Sequence, residues 1–318
     1  MEQKVLQVGA AMLALALLLR LTATWEKGRQ ELGRTLLFFS TGRLVTETLP
    51  VEQETEPAQE ENLSMEPEVA PVFGEAQLSY VQVNSDLEVD TLSLLQEPLQ
   101  WDLLSDAPTV LILHTHGSES YEKQDNYTES SPYRTLDTNY NMVSVGARVA
   151  EILEAGGISV IHDRTLHDVP SYNDAYGQAR SAIQTYLAEN PQIVLVLDLH
   201  RDASEDADGN QNRYSVTING ESTAKLMLVM GTDTWSLPYP NWEQNLALAV
   251  KLQAQLEQTY PGLCRPVSLV SDSRYNQDLC SGGLLVEVGM AGNTHEEALR
   301  AARYLAEGIL ALAKGANY

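Results

Sequence analysis

Two runs of almost unbroken apolar residues constrain this chain more than any other feature. Thr109–His114 reads TVLILH and Ile193–Leu199 reads IVLVLDL. An alternating strand can face water on one side; a run without alternation must be covered on both faces. Lys225–Met230 and Leu284–Val288 are further strand candidates. Helical stretches lie between them. Asn141–Ala155 carries apolar residues at helical spacing and stops at Gly156–Gly157, and Asn173–Ala188 stops before Pro191. Asn241–Gln258 precedes Pro261, and Thr294–Lys314 opens on T-H-E-E in the manner of a capping box. Strands alternating with helices predict an α/β domain over residues 103–318, a twisted, mostly parallel sheet flanked by helices.

The upstream sequence is of another kind. Val5–Leu19 is apolar except for Gln7; counted through Trp25, with Arg20 at the interface, it reaches the roughly 20 residues a bilayer span needs. No A-x-A stands just after the run, so residues 1–25 read as an uncleaved single-pass anchor in preference to a signal peptide. Either reading places the rest of the chain outside the cytoplasm. Residues 26–45 join Leu36–Phe39 to Lys27, Arg29, Arg34 and Arg43, as in a juxtamembrane helix on the membrane surface or a continuation of the anchor. Residues 46–102 are rich in Glu, broken by Pro50, Pro57, Pro67 and Pro71, and without Lys or Arg. Such a composition reads as a disordered acidic linker, too polar to offset its ordering entropy. The whole chain holds 20 Lys+Arg against 44 Asp+Glu, a net charge of −24, which argues against a nucleic-acid partner. Its two cysteines exclude a disulfide-dense scaffold and a four-Cys zinc site; Cys264 and Cys280 could pair or stay as two buried thiols.

Open α/β sheets carry their sites beyond the carboxyl ends of the strands. There the chain reads His114-Thr115-His116-Gly117-Ser118-Glu119, then Asp198-Leu199-His200-Arg201-Asp202, then Val286-Glu287-Val288-Gly289. Two imidazoles and a carboxylate with one position left for water make a catalytic zinc site. A nearby carboxylate, here Glu287, then takes the proton of the attacking water. The plainer reading of any single strand-end His is a hydrogen-bonded structural residue. His162 and His167 read as structural or surface residues, and His295 as surface. The sequence has no H-E-x-x-H, no G-x-S-x-G, no Walker A and no G-x-G-x-x-G, and no triad order includes Ser118.

Four motifs in order, ILHTHGSESY (112–121), DLHRDA (198–203), RYNQDL (274–279) and LLVEVG (284–289), resemble the stage II sporulation protein P family. That family is similar to the zinc-dependent N-acetylmuramoyl-L-alanine amidases, and the resemblance covers about 105 to 318. It implies an amidase-like fold and a membrane-anchored peptidoglycan hydrolase acting during engulfment. The cut falls between the muramic lactyl group and L-Ala of the stem peptide, with stem-peptide cross-links as a second target. Zn2+ is the implied cofactor, and stage II sporulation proteins D and M are the implied partners. A degenerate amidase fold that binds peptidoglycan without cutting is the alternative; intact His116, His200 and Glu287 argue against it.

The resemblance also implies roles. The amidase run strand–D-P-G-H-G lies over Leu113–Gly117 and makes His116 a metal ligand, although Leu113 and His114 stand in place of Asp and Pro. The strand-end S-x-H makes His200 a ligand, with Asp198 in place of Ser. The late E-x-G and its Asn fall on Glu287, Gly289 and Asn293, so Glu287 is the catalytic carboxylate. The amidases' third ligand, a Glu four residues ahead of an Asn, falls on Asp137 when that Asn is set on Asn141; Glu119 and Asn139 are its rivals. Arg201, Arg274 and Asn276 flank the site as substrate-binding candidates, because Arg binds stem-peptide carboxylates bidentately; a structural salt bridge is the other reading of Arg274. Trp235, Tyr239 and Trp242 could pack against substrate or in the core.

Overall fold

The two apolar runs lie side by side as neighbouring interior strands of one sheet. The structure is a computed structural model describing residues 73–315 except 100, 124–126, 234–237 and 272. The expected anchor, the juxtamembrane helix, the linker as far as residue 72, and Trp235 lie outside the described residues. In chain order the elements are β1 (Val83–Asn84), α1 (Thr91–Gln96), β2 (Val110–Leu113), α2 (Met142–Ala155), β3 (Val160–His162), α3 (Ala175–Glu189) and β4 (Leu195–Asp202). There follow β5 (Ser215–Ile218), β6 (Glu221–Ala224), β7 (Leu226–Gly231), α4 (Trp242–Thr259), β8 (Val267–Val270), β9 (Gly283–Met290) and α5 (His295–Ala313).

Seven strands form a sheet in the order β1-β8-β7-β9-β4-β2-β3. Every neighbouring pair is parallel except β7 with β9. Strand side chains alternate between faces. Ile112, Leu197, Leu199 and Val286 pack with α2, α4 and α5 in the main core. Leu111, Leu113 and Val196 meet Ala179 and Ile183 of α3 on the other face. Both faces are thus covered, which is why the strands read as continuous apolar runs. The four long helices start within two residues of their expected positions. Asn141 caps α2 through Val143 N–H, and Thr294 with Glu297 forms the expected capping box of α5. The β5–β6 hairpin, absent from the sequence expectation, turns on Asn219-Gly220 with φ of 52° and 82°, as a two-residue mirror-image turn requires.

Two expectations change, and the open reading of the cysteines is decided. The acidic linker does not extend to residue 102. From Val81 to Asp90 odd-numbered positions are half-buried and even-numbered ones exposed, so Asp86, Glu88 and Asp90 face water while Val81, Val83, Leu87 and Val89 pack on the core. β1 pairs with β8, and Gln253 Oε1 accepts from Gln82 N–H at 2.9 Å. Lys251, buried on α4, donates to the Leu94 carbonyl of α1. His295 is buried rather than on the surface; its Nε2 lies 2.7 Å from Ser144 Oγ and its ring is beside Tyr121 and Tyr140. Cys264 and Cys280 are free thiols.

Two predictions follow from this packing. A chain beginning at Asp90 loses β1 and its apolar row, so it should melt below one beginning at Phe73. A loss of about 2 kcal/mol would read as roughly 4–8 °C for a domain of this size; equal melting temperatures would return this segment to the linker. The second concerns Glu297. Burial pushes its carboxyl up, but hydrogen bonds from Asn293, Ser222, Arg213 and Thr294 N–H outweigh burial and hold it at about 2 instead of 4.5. A carboxyl lowered by folding contributes stability above its unfolded pKa and loses it as pH falls through the folded value. Glu297→Gln should therefore cost about 1–3 kcal/mol at pH 7, and the penalty should shrink between pH 4.5 and about 2. Thermal unfolding across that range reads it, and a penalty independent of pH would refute the assignment.

Candidate metal centre

Beyond β2 the chain turns away from the sheet, and buried carboxylates hold the turn. Asp198 on β4 accepts from Thr115 N–H at 2.8 Å and from Thr115 Oγ at 2.6 Å. Asp168 accepts from Ser118 N–H and Ser118 Oγ, so Ser118 is engaged rather than poised as a nucleophile. Backbone bridges then join Glu119 to Arg134 and Ser120 to Asn141. They turn the Glu119 side chain inward.

The inward side chains converge. His116 Nδ1 lies 3.7 Å from Glu119 Oε1, and His200 Nδ1 lies 3.7 Å from Glu119 Oε2. The two imidazole rings are edge-to-face, with centroids 5.1 Å apart. One potential ligand atom from each of the three residues falls within 4.8 Å of the others, and all three are buried. His200 Nε2 sits 3.0 Å from Asp198 Oδ1, a charge contact rather than an aligned hydrogen bond. A carboxylate behind the far nitrogen of a histidine is the usual way a metal-binding imidazole is oriented. On β9, Glu287 is paired in register with His200 and so shares its face of the sheet. Just past this pair the register shifts, and Gly289 takes φ of 79°, where a Cβ would come within 2.8 Å of Ala224. A bulge beside a site re-aims the side chains next to it.

The electrostatics favour a cation. Burial opposes charge on His200, but Asp198, Glu119 and Glu287 outweigh it and raise its pKa to about 10. Burial and the neighbouring His200 depress His116 to about 4. Burial raises the Glu287 carboxyl to about 8, and its Oε2 is buried without a hydrogen-bond partner among the described residues. Several carboxylates therefore crowd one imidazole. Two imidazoles and a carboxylate are a zinc donor set, and the residues present fit that ion. They open onto a cleft of ≈ 510 Å³ whose walls include Arg134, Tyr172, Tyr176 and Arg201.

The family model for stage II sporulation protein P (SpoIIP) matches residues 27–310. The chain belongs to the stage II sporulation protein P family. The family's protein from Bacillus subtilis (strain 168) is 31% identical over 214 residues, 64% of this chain and 50% of that protein. The match thus spans half the length of that relative. Two solved structures are more distantly similar. The CwlD amidase from Clostridioides difficile, in complex with the GerS lipoprotein, has a TM-score of 0.42 and 14% identity, covering 64% of this chain and 98% of that one. An N-acetylmuramoyl-L-alanine amidase from Clostridium difficile 630 has a TM-score of 0.37 and 19% identity, covering 65% and 95%.

In this member of the family, His116, His200 and Glu287 line one cleft, and the carboxylate that stands close to both histidines is Glu119. Asp137 stands apart: its Oδ1 accepts from Asn139 N–H and Nδ2 at 3.0 and 2.9 Å, out on the loop between the two bridges. His114 points to the opposite face, where its Nε2 meets His162 Nε2 at 2.9 Å. Gly146 of α2 makes room for that pair, since a Cβ there would lie 2.5 Å from the His114 ring. Arg201 lines the cleft, but its guanidinium donates to the carbonyls of Ser120 and Tyr133 at 2.9 and 3.0 Å. Arg274 and Asn276 are not on the cleft wall; Arg274 Nη1 donates to the Pro238 carbonyl, and Asn276 Nδ2 to the Tyr176 carbonyl. Tyr239 is a core residue, its hydroxyl accepting from Asn245 Nδ2 at 2.7 Å, and Trp242 packs against the main core. Sequence reasoning missed Tyr172, stacked on His116 at 4.2 Å, and Arg134, over the Tyr172 ring at 4.5 Å. Arg134 lies on a loop and Tyr172 opens a short 3-10 turn ahead of α3, and no local pattern announces that either faces the cleft.

Because Arg201 is engaged with the protein itself, Arg201→Met should destabilise the fold, by about 3 kcal/mol or more, as breaking a buried charge network does. Denaturant unfolding measures this. A variant of unchanged stability that binds substrate more weakly would restore Arg201 to substrate binding.

Proposed function

We propose that this chain is a membrane-anchored, zinc-dependent peptidoglycan hydrolase of sporulation, cutting the N-acetylmuramoyl-L-alanine amide with stem-peptide cross-links as a second target. The observation that carries this reading is the buried, unpartnered Glu287 Oε2, in register with His200 and facing the cleft of the His116–Glu119–His200 group. Family membership and the names of the similar proteins support the choice of substrate.

His116, Glu119 and His200 would hold the zinc, with Asp198 fixing the orientation of His200. When bound, zinc acidifies water and polarises the scissile carbonyl. Glu287 Oε2 takes a proton from the attacking water and returns it to the leaving amine. Burial favours the protonated carboxyl and so the return of the proton, whereas a cation held beside it would favour the carboxylate that takes it. Arg134 and Arg201 offset the charge of Glu119, Arg134 Nη2 at 3.4 Å from Oε1 and Arg201 N–H donating to Oε2. The anchor belongs to residues 1–25 and would put this domain on the outer side of the membrane; among the described residues no helix is long and apolar enough to cross it. Stage II sporulation proteins D and M are the proposed partners. The binding-scaffold alternative gains nothing from a complete donor set.

The test measures zinc content and peptide release from purified peptidoglycan. His116→Ala and His200→Ala should lose the metal. Glu287→Gln should keep it and release L-Ala-terminated peptides at least about a hundredfold more slowly. A metal-free wild type that stays inactive with both partner proteins added would favour the scaffold.

A further inference from the structure

The RYNQDL motif is conspicuous in the sequence, yet its Arg274 and Asn276 do not line the cleft. Its backbone is unusual. Tyr275 and Asn276 have successive positive φ angles of 49° and 59°, a conformation costly for residues with a Cβ. Specific bonds hold the turn in that shape. Gln277 ties it to the sheet, with Nε2 donating to the Val229 carbonyl and Oε1 accepting from Gly231 N–H. On the α3 side, Arg180 donates to both oxygens of Asp278 at 2.9 and 2.7 Å and to Asn276 Oδ1 at 3.3 Å. Asn276 Nδ2 then donates to the Tyr176 carbonyl at 3.0 Å, and the Tyr275 ring lies 6.0 Å from the Tyr176 ring. The turn buttresses the start of α3, and Tyr176 is the residue it supports.

Tyr176 lines the cleft beside both histidines. Its ring is edge-on to His116 at 5.4 Å and nearly parallel to His200 at 6.4 Å. Among the described residues its hydroxyl has no hydrogen-bond partner. The guanidinium groups on the cleft wall are already engaged: Arg134 with Asp168 and Ser118, Arg201 with two carbonyls. When water adds to an amide carbonyl, negative charge develops on the oxygen, and a donor already aimed there lowers the barrier. A phenol, with an ordinary pKa of about 10, is protonated at neutral pH and can donate.

We propose that Tyr176 is a catalytic hydrogen-bond donor to the carbonyl oxygen of the scissile amide, and that Asn276 in the 275–278 turn is the positioning residue that holds it there. The proposal rests on the amide-hydrolase reading above. Water adds to the carbonyl carbon and loses a proton to Glu287. The π electrons move to the carbonyl oxygen, which accepts a hydrogen bond from Tyr176 Oη; the phenol keeps its proton. Collapse re-forms the carbonyl and breaks the C–N bond, and the amine leaves with the proton from Glu287.

The test uses the full chain on purified peptidoglycan, with kcat, KM, zinc content and Tm for each variant. Tyr176→Phe removes one hydroxyl that serves no bond in the fold. It should keep zinc, Tm and KM and lose about a hundredfold in kcat. Asn276→Gly preserves the backbone conformation but removes the tie to Tyr176; it should lower kcat by about tenfold at unchanged KM. The double variant should be no slower than Tyr176→Phe alone, because Asn276 acts through that hydroxyl, whereas a merely structural role would make the losses add. Wild-type kcat in Tyr176→Phe overturns the proposal while leaving the amidase reading intact. A lower Tm or lost zinc in Tyr176→Phe also overturns it, since the hydroxyl would then serve the fold or the metal. An inactive wild type defeats the amidase reading and this proposal with it.

Discussion

The seating of β4 between β2 and β9 is the constraint on which the rest of the site depends. Parallel pairing brings Leu113 level with Asp198 and His200 level with Glu287. Asp198 reaches across to fasten Thr115, which sets the path of the chain to His116 and Glu119. A one-residue slip of β4 would turn Asp198 and His200 towards α2 and α5 and expose Leu197 and Leu199 to the thin side of the sheet. The apolar residues that register the strand in the core therefore also aim the polar ones at its end. Stability and site geometry are two consequences of one alternation.

The site sits where the sheet is least covered. Three long helices pack over one face, whereas α3 and the segment leading into β9 cover the other. Beyond the carboxyl ends of β4 and β9 that cover gives way to a wall of aromatic and charged side chains. Buried carboxylates are costly unless paired, and here they are paired in part: Asp168 with Arg134, Glu119 with Arg134 and Arg201, Asp198 with His200. Among the described residues, Glu287 Oε2 has no such partner. Burial and that lack of a partner hold its carboxyl above the ordinary range, beside two imidazoles.

Several sequence signals were legible and carried the fold. Continuous apolar strands required cover on both faces, and the Thr294 capping box and Gly156–Gly157 marked helix ends that the structure places within a residue or two. The two-residue period of Val81–Asp90 was equally legible, but the acidic composition of the surrounding stretch concealed it. Net charge describes the exposed half of such a segment and says nothing about the half that packs. Asn219-Gly220 was likewise a readable hairpin turn.

The sequence by itself determined where the buried strands lie and which residue types stand near their carboxyl ends. Hydrophobic period is a local property, and so His200 and Glu287 were identifiable there, although β4 and β9 run on to Asp202 and Met290. Tertiary structure alone decided which carboxylate joins the histidines. Glu119 and Asp137 lie on the same excursion between β2 and α2, and only the bridges to Arg134 and Asn141 turn one inward and leave the other on the loop. It also decided that His114, two residues from His116, belongs to the opposite face, because strand alternation continues one residue past Leu113. Tyr176 and Asn276, a hundred residues apart, meet through a single side chain–carbonyl bond that no sequence period encodes. Contacts of that range depend on how the chain crosses the sheet, and the crossing is set only once every strand has found its neighbour.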